Sequence, residues 1–297
     1  MEGGNIMMLE PHLQLTMALG EGPQWDDNEQ RLYWVDIKAG ELHRLDPLNA
    51  QHEVFHFDEP VAHVVAHEGG GYLGAFRSGL WRLDDQLRKQ QQLVEGPQDP
   101  AISWCNDCLC DPAGRFWVAT KNDAERHPVA ALFSYQGELR EHFGGVTIGN
   151  GLAVSPDQRW LYFSDTPRYR IERYPLDIDS GTLGEAQLFA DTRALALPGA
   201  PDGGAVDENG HYWIAMYGGG VVVHFNAEGE VIDSLPLLAP NPTKVIFGDS
   251  DLRTLYVTCA RQELEQATLD QYPDAGSLFS TRVETPGLPP HRYRDPA

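Results

Sequence analysis

A chain of 297 residues with 41% hydrophobic side chains carries enough apolar material for a sizeable core, and 44 Asp plus Glu against 22 Lys plus Arg leave a formal net charge of -22. That acid excess disfavours a surface built for phosphate backbones and argues against nucleic acid or anionic membrane as partners. No run of roughly 18 apolar residues occurs, and the N-terminal MEGGNIMMLEPHLQLTMALGEGP lacks a basic region followed by an apolar stretch, so a soluble, unexported, cytoplasmic protein is expected.

Thirty glycines and 21 prolines, set among short aromatic and β-branched runs, predict many short strands and no long amphipathic helix. The first predicted strand covers residues 13–17. RLYWVD and ELHRLD follow, then GYLGAF and GLWRLD, RFWVAT and ALFSYQ, WLYFSD and RIERYPLD, HYWIAM and VVVHFN, and finally TLYVTC and SLFSTRV. The first member of each pair carries an anchor, in order Tyr33, Leu73, Trp117, Tyr162, Trp213 and Tyr256, and these recur every 40 to 51 residues. That period is one four-stranded propeller blade. The chain is therefore expected to be all-β, a single six-bladed β-propeller domain over residues 1–297, closed by pairing residues 13–17 with the last blade so that no sheet edge is left open.

Cys105, Cys108, Cys110 and Cys259 are too few for a secreted disulfide framework, and no second Cys/His pair completes a zinc ribbon; buried, reduced thiols are expected.

The first strand of every propeller blade lines the central channel, so residues at equivalent positions of different blades converge near the axis. Counting back 11 to 13 residues from each anchor gives Glu21, Ala62, Asn106, Asn150, Asp202 and Thr243. Taken singly, an Asx beside glycine is an ordinary turn former. Four oxygen-donor side chains at one blade register are better explained by a shared hard or borderline cation, Ca²⁺, Mg²⁺, Mn²⁺ or Zn²⁺, because polar groups facing a channel need a partner.

At these residues the sequence resembles the regucalcin and gluconolactonase family, also called the senescence marker protein family. The resemblance spans nearly the whole chain through LGEGPQWDDNEQRLYWVDI, NDCLCDPAGRFWVATK, IGNGLAVSPDQRWLYFSDT, PDGGAVDENGHYWIAMYGGG, IFGDSDLRTLYVTCAR and PGLPP. It implies a propeller with one divalent metal at one end of the channel, and hydrolysis of a small-molecule sugar lactone. Carried over residue by residue, it implies Glu21, Asn150 and Asp202 as metal ligands, Asp202 also as general base, and Asn106 near the metal, touching substrate or a bound water. Two positions depart from the family pattern. Trp104 stands where many sugar-lactone hydrolases have arginine, and KNDAERH, beginning at Lys121, replaces a methionine-plus-acid stretch of animal members. Trp104 and Lys121 thus become candidate substrate-wall residues, with Trp104 able to cover a sugar's apolar face or simply to pack.

The same site on another substrate, such as a non-sugar lactone or an organophosphate ester, is a second reading, and a non-catalytic calcium-binding propeller a third. His63, beside Ala62, is a candidate for reaching the pocket, and Tyr217 and Arg77 for lining its mouth. Asp36 and Asp165, at matching places in WVD and FSD, are expected to stabilise their blades. No P-loop, GxSxG elbow or HExxH helix is present.

Overall fold

Runs such as RLYWVD and WLYFSD, bounded by Asp- and Gly-containing turns, are too short for a helix and pair as antiparallel meanders. The computed structural model describes residues 8–96 and 98–296, in which these runs build six sheets of four or five strands. Residues 1–7, the start of the stretch read above as lacking an export signal, lie outside the described residues. The innermost strands are Gly20–Asp26, Val61–Ala66, Ser103–Cys110, Gly149–Val154, Ala200–Val206 and Pro242–Gly248. Each touches the next around a ring, and the sixth touches the first, so the sheets are blades of a six-bladed propeller about a central channel. All six anchor residues lie on second strands and are buried between blades.

Closure uses a different segment from the one expected. The outermost strand of the sixth blade is Glu10–Leu13, antiparallel to Leu278–Arg282 with Glu10 opposite Ser280, so of residues 13–17 only Leu13 is in the strand. The proline and charge of EPHL suit an edge, where one side of the backbone needs no partner. Met17 instead anchors the approach to the first blade. Its N–H donates to Gly276 O at 3.1 Å, its carbonyl accepts from Arg261 N at 3.1 Å, and its Sδ accepts from Trp34 Nε1 at 3.1 Å. The longest anchor spacing, Tyr162 to Trp213, is explained by an inserted strand, Thr182–Leu183, that folds back on Leu176 and Asp177.

Asp36 and Asp165 do the same work in the first and fourth blades. Asp36 accepts backbone N–H groups of Ala18 at 2.7 Å and Leu19 at 3.0 Å, and Asp165 those of Thr147 at 3.1 Å and Ile148 at 2.9 Å, so each second strand holds the entry to its own inner strand. All four cysteines are free and buried. At the C-terminal ends of the inner strands the last described segment crosses the channel. It is held by Gly287 N to Leu252 O at 2.8 Å, Glu208 N to Pro286 O at 3.0 Å, Glu68 N to Tyr293 O at 2.9 Å and Arg294 N to Gly114 O at 3.0 Å, which places PGLPP across that end.

Candidate active site

Every inner strand carries a β-bulge against its neighbour, and every bulge falls at the register counted from the anchors. Ala62, Asn106 and Thr243 are the extra, unpaired residues of the second, third and sixth blades. In the other three, the register slips immediately after Glu21 and Asn150 and across Asp202. A bulge breaks the strand's alternation and re-aims a side chain, so six bulges at one level turn the start of each inner strand toward the channel mouth. The glycine after each candidate ligand is required locally. Gly22 and Gly151 have φ of 53° and 70°, and a Cβ on Gly203 would lie 2.4 Å from Lys244 Cγ.

Glu21 and Asp202 are both buried, each 7% exposed. Burial first, then the charge of Asp107, pushes the Glu21 carboxyl up to about 7; Lys244 acts against this. Burial and the charges of Glu21 and Asp107 likewise hold Asp202 well above the carboxylate range. Glu21 Oε2 accepts Gly22 N–H at 2.9 Å. Among the described residues no donor within hydrogen-bonding distance reaches the Asp202 carboxylate. Asn150 is fixed between blades. Its Oδ1 accepts from Asn106 Nδ2 at 3.0 Å, and its Nδ2 donates to Thr166 Oγ1 at 2.8 Å, which in turn donates to Pro201 O at 2.9 Å. Asn106 Nδ2 also reaches Gly149 O at 3.1 Å. Glu21, Asn150, Asp202 and Asn106 are thus brought to one end of the channel.

The wall beside them is built on the third blade. Trp104 is buried, 6% exposed, and stands opposite Lys121 in the strand register. Its Nε1 donates to Asp123 Oδ1 at 2.9 Å, and the cations of Lys121 and Arg77 lie 5.4 Å and 5.5 Å from its ring. Lys121 Nζ pairs with Glu125 at 2.6 Å, and Arg77 with Asp123 at 3.2 Å. Lys121 also acts electrostatically on both Glu21 and Asp202, opposing the rise of each. Tyr217 O–H donates to Gln262 O at 3.5 Å at the rim.

Beneath the ring lie residues the sequence reading missed. Lys244 of the sixth blade bonds the Asp107 carboxylate of the third and reaches Cys108 O at 3.0 Å. Their signal in the sequence is adjacency: each follows a counted position, Asn106 or Thr243. His63 does enter the channel. It is buried, neither ring nitrogen has a partner among the described residues, and burial together with Lys244 drives its pKa well down. His63 and Lys244 also line a cavity of about 350 Å³ that continues past Leu152 and Phe247 to Pro290, at the opposite end from the carboxylates.

Residues 19–261, from just before Glu21 to just past Cys259, match the family described as SMP-30/Gluconolactonase/LRE-like region. The chain belongs to this family. Among its relatives, a 6-deoxy-6-sulfogluconolactonase of Pseudomonas putida is 41% identical, covering 91% of this chain and 93% of that protein. A pentonolactonase of Haloferax volcanii is 33% identical over 93% of this chain and 95% of its own. A solved structure described as a calcium-binding protein, regucalcin, from Agrobacterium tumefaciens aligns with TM-score 0.92 at 27% identity, covering 97% of this chain and 98% of that one. Within the SMP-30/gluconolactonase propeller, then, the two buried carboxylates and the Asn106–Asn150 pair occupy the mouth, and the Trp104–Lys121 wall stands beside them.

Proposed function

We propose that this SMP-30/gluconolactonase-family protein is a lactonase that opens a sugar lactone to its hydroxy acid, with one divalent cation held by Glu21, Asn150 and Asp202. The observation that carries the reading is the pairing of Glu21 and Asp202. Burial raises the pKa of both carboxyls, the charge of Glu21 adds to the rise at Asp202, and among the described residues neither has a cation in contact. The donor set fits a cation: two carboxylates and a carboxamide, all hard oxygen ligands. When bound, such an ion supplies Lewis-acid polarisation of the lactone carbonyl and lowers the pKa of water.

The remaining chemistry belongs to the chain. Asp202 takes a proton from the water that attacks the carbonyl carbon. The acyl carbon–oxygen bond of the ring then breaks, and the proton passes to the departing ring oxygen, giving the hydroxy acid with atoms and charge balanced. Without a cation, burial and the charge of Glu21 hold the Asp202 carboxyl up; a divalent cation beside it would keep it ionised and able to accept the proton of an acidified water. Asn106 fixes the orientation of the Asn150 amide, and Lys121 and Trp104 form the wall a sugar ring would meet. Lys121 and Arg77, paired with Glu125 and Asp123, give that wall charged hydrogen-bonding groups, and the Pseudomonas relative, a 6-deoxy-6-sulfogluconolactonase, makes an acidic substituent one to test there.

The test is acid release from chelator-stripped protein on five- and six-membered aldonolactones and a 6-deoxy-6-sulfo analogue, with Ca²⁺, Mg²⁺, Mn²⁺ or Zn²⁺ added back singly. Metal-restored hydrolysis is expected, and Asp202→Ala should abolish it in a folded protein. A folded, fully active Asp202→Ala protein overturns the reading. Metal binding without turnover on any lactone would favour a binding propeller.

A further inference from the structure

The turns that follow the inner strands repeat one device. In the third blade, Asp111 Oδ1 accepts the N–H groups of Ala113 at 2.9 Å and Arg115 at 3.0 Å, while Oδ2 accepts Trp117 Nε1 at 2.8 Å and Arg115 Nη1 at 2.9 Å. The fifth blade reproduces the first three of these bonds. Asp207 Oδ1 accepts from Asn209 N at 2.9 Å and His211 N at 3.0 Å, and Oδ2 from Trp213 Nε1 at 3.0 Å. The fourth bond differs, because the residue four places after the aspartate is Arg115 in one turn and His211 in the other. The corresponding aspartates of the first and sixth blades also have guanidinium partners, Arg292 on Asp26 and Arg282 at 3.7 Å from Asp249. Asp207 alone among these four faces two imidazoles. His211 Nδ1 lies 3.7 Å and His224 Nε2 3.9 Å from its Oδ2, and the two ring nitrogens are 3.1 Å apart.

We propose that Asp207, His211 and His224 form a second metal site, for zinc or another divalent ion that favours imidazole, where the other turns use arginine. A tetrahedral ion with bonds of about 2.0–2.1 Å sets its donors roughly 3.3 Å apart, so the three observed separations are each within a short side-chain adjustment of that geometry. The surroundings have the features of an outer shell. Trp213 Nε1 fixes the Asp207 carboxylate, and the Trp213 ring stacks on His224 at 3.6 Å and 15°, which sets the imidazole plane. Asp207 is fully buried, whereas the His211 and His224 side chains are 26% and 14% exposed, which leaves a path for entry. Two nitrogens and one carboxylate oxygen select against Ca²⁺ and Mg²⁺, so the site differs in chemistry as well as position from the carboxylate mouth. It sits where Glu208 and Asn209 hold the segment that closes the channel, Asn209 Nδ2 donating to Thr285 Oγ1 at 3.2 Å, so an ion there braces that closure.

Equilibrium dialysis with zinc on chelator-stripped protein tests the proposal, with cobalt absorption as the probe of imidazole ligation. His211→Arg recreates the Asp111–Arg115 pair and is expected to fold, to bind one zinc fewer than the wild type and to show no imidazole-type cobalt bands. His224→Gln should weaken zinc at this position by about a hundredfold or more. Asp202→Asn should leave it unchanged, which separates this site from the one at the mouth. Zinc should raise the Tm of the wild type more than that of His211→Arg. Equal zinc stoichiometry and affinity in wild type, His211→Arg and His224→Gln would overturn it.

Discussion

Lys244 donates to the carboxylate of Asp107 across the central channel, from the sixth blade to the third, while the other oxygen of Asp107 accepts Leu152 N–H of the fourth at 2.8 Å. One buried side chain thereby ties together three of the bulges that shape the mouth. A buried charge that loses its partner costs far more than the pair contributes. Lys244→Met should therefore destabilise the protein by about 3–5 kcal/mol in urea unfolding. The double variant Asp107→Asn/Lys244→Met should recover much of that loss; a single variant as stable as the wild type would refute this role.

The raised carboxyls at the mouth carry a pH signature. A group whose folded pKa lies above its unfolded value favours folding in its protonated form, so its stabilisation is full below the unfolded pKa and is lost as pH rises through the folded one. For Glu21 that window runs from its ordinary 4.5 to about 7, and Asp202 adds to it in the same direction. His43, His142 and His224, each lowered to about 4 by burial, work the opposite way over part of the window. The comparison is therefore between metal-free wild type and metal-free Glu21→Gln/Asp202→Asn. The wild type should lose stability relative to the double variant as pH rises from 4.5 to 7, and saturating divalent metal, which stabilises only the protein that keeps its ligands, should turn the difference in the wild type's favour. Parallel Tm profiles in the absence of metal would contradict this.

Gly203 tests how tightly the mouth is packed. A methyl group there meets Lys244 at Cγ and Cβ, 2.4 Å and 2.5 Å away, and must push the cation's stem off Asp107. Gly203→Ala is expected to cost about 1–3 kcal/mol of stability and to lower metal affinity at the mouth, measured by calorimetry. Wild-type affinity and stability together would count against it.

The thiols should be silent in the native protein. Burial pushes Cys105 up to about 12 and raises Cys108, Cys110 and Cys259 well above the usual thiol value. Because the thiolate is the reactive form, a disulfide titrant at neutral pH should label none of them until denaturant is added, and then all four. Rapid labelling of any one in the folded state would show an opening that reaches its blade.

The blade count, the order of strands and the convergence of Glu21, Asn106, Asn150 and Asp202 could be read from the sequence because all follow from one period. Residues one step further along could not. Strict alternation turns Asp107 away from Asn106, and Lys244 away from Thr243; only the bulges reset that alternation, and a bulge leaves no mark on hydrophobic periodicity. The closing strand escaped for a related reason, since EPHL lacks the apolar alternation of a strand packed on both faces. His211 and His224 lie 13 residues apart on either side of the Tyr212–Tyr217 strand, so only the turn geometry of the fifth blade brings their rings together. Trp104 was visible as a departure, yet its burial depends on Asp123, Arg77 and Lys121, which come from separate stretches.

The placement of Glu10–Leu13 on the outside of the sixth blade imposes a timetable on the nascent chain. Blades one to five are made of consecutive strands and can pair as they leave the ribosome, but Glu10–Leu13 is synthesised early and has no partner until Leu278–Arg282 emerges. Through most of translation it is a waiting strand, at risk of pairing with a neighbouring chain. Its composition answers that risk: Glu10, Pro11 and His12 remain exposed even in the finished ring, and a charge and a proline discourage pairing with another chain while the strand waits.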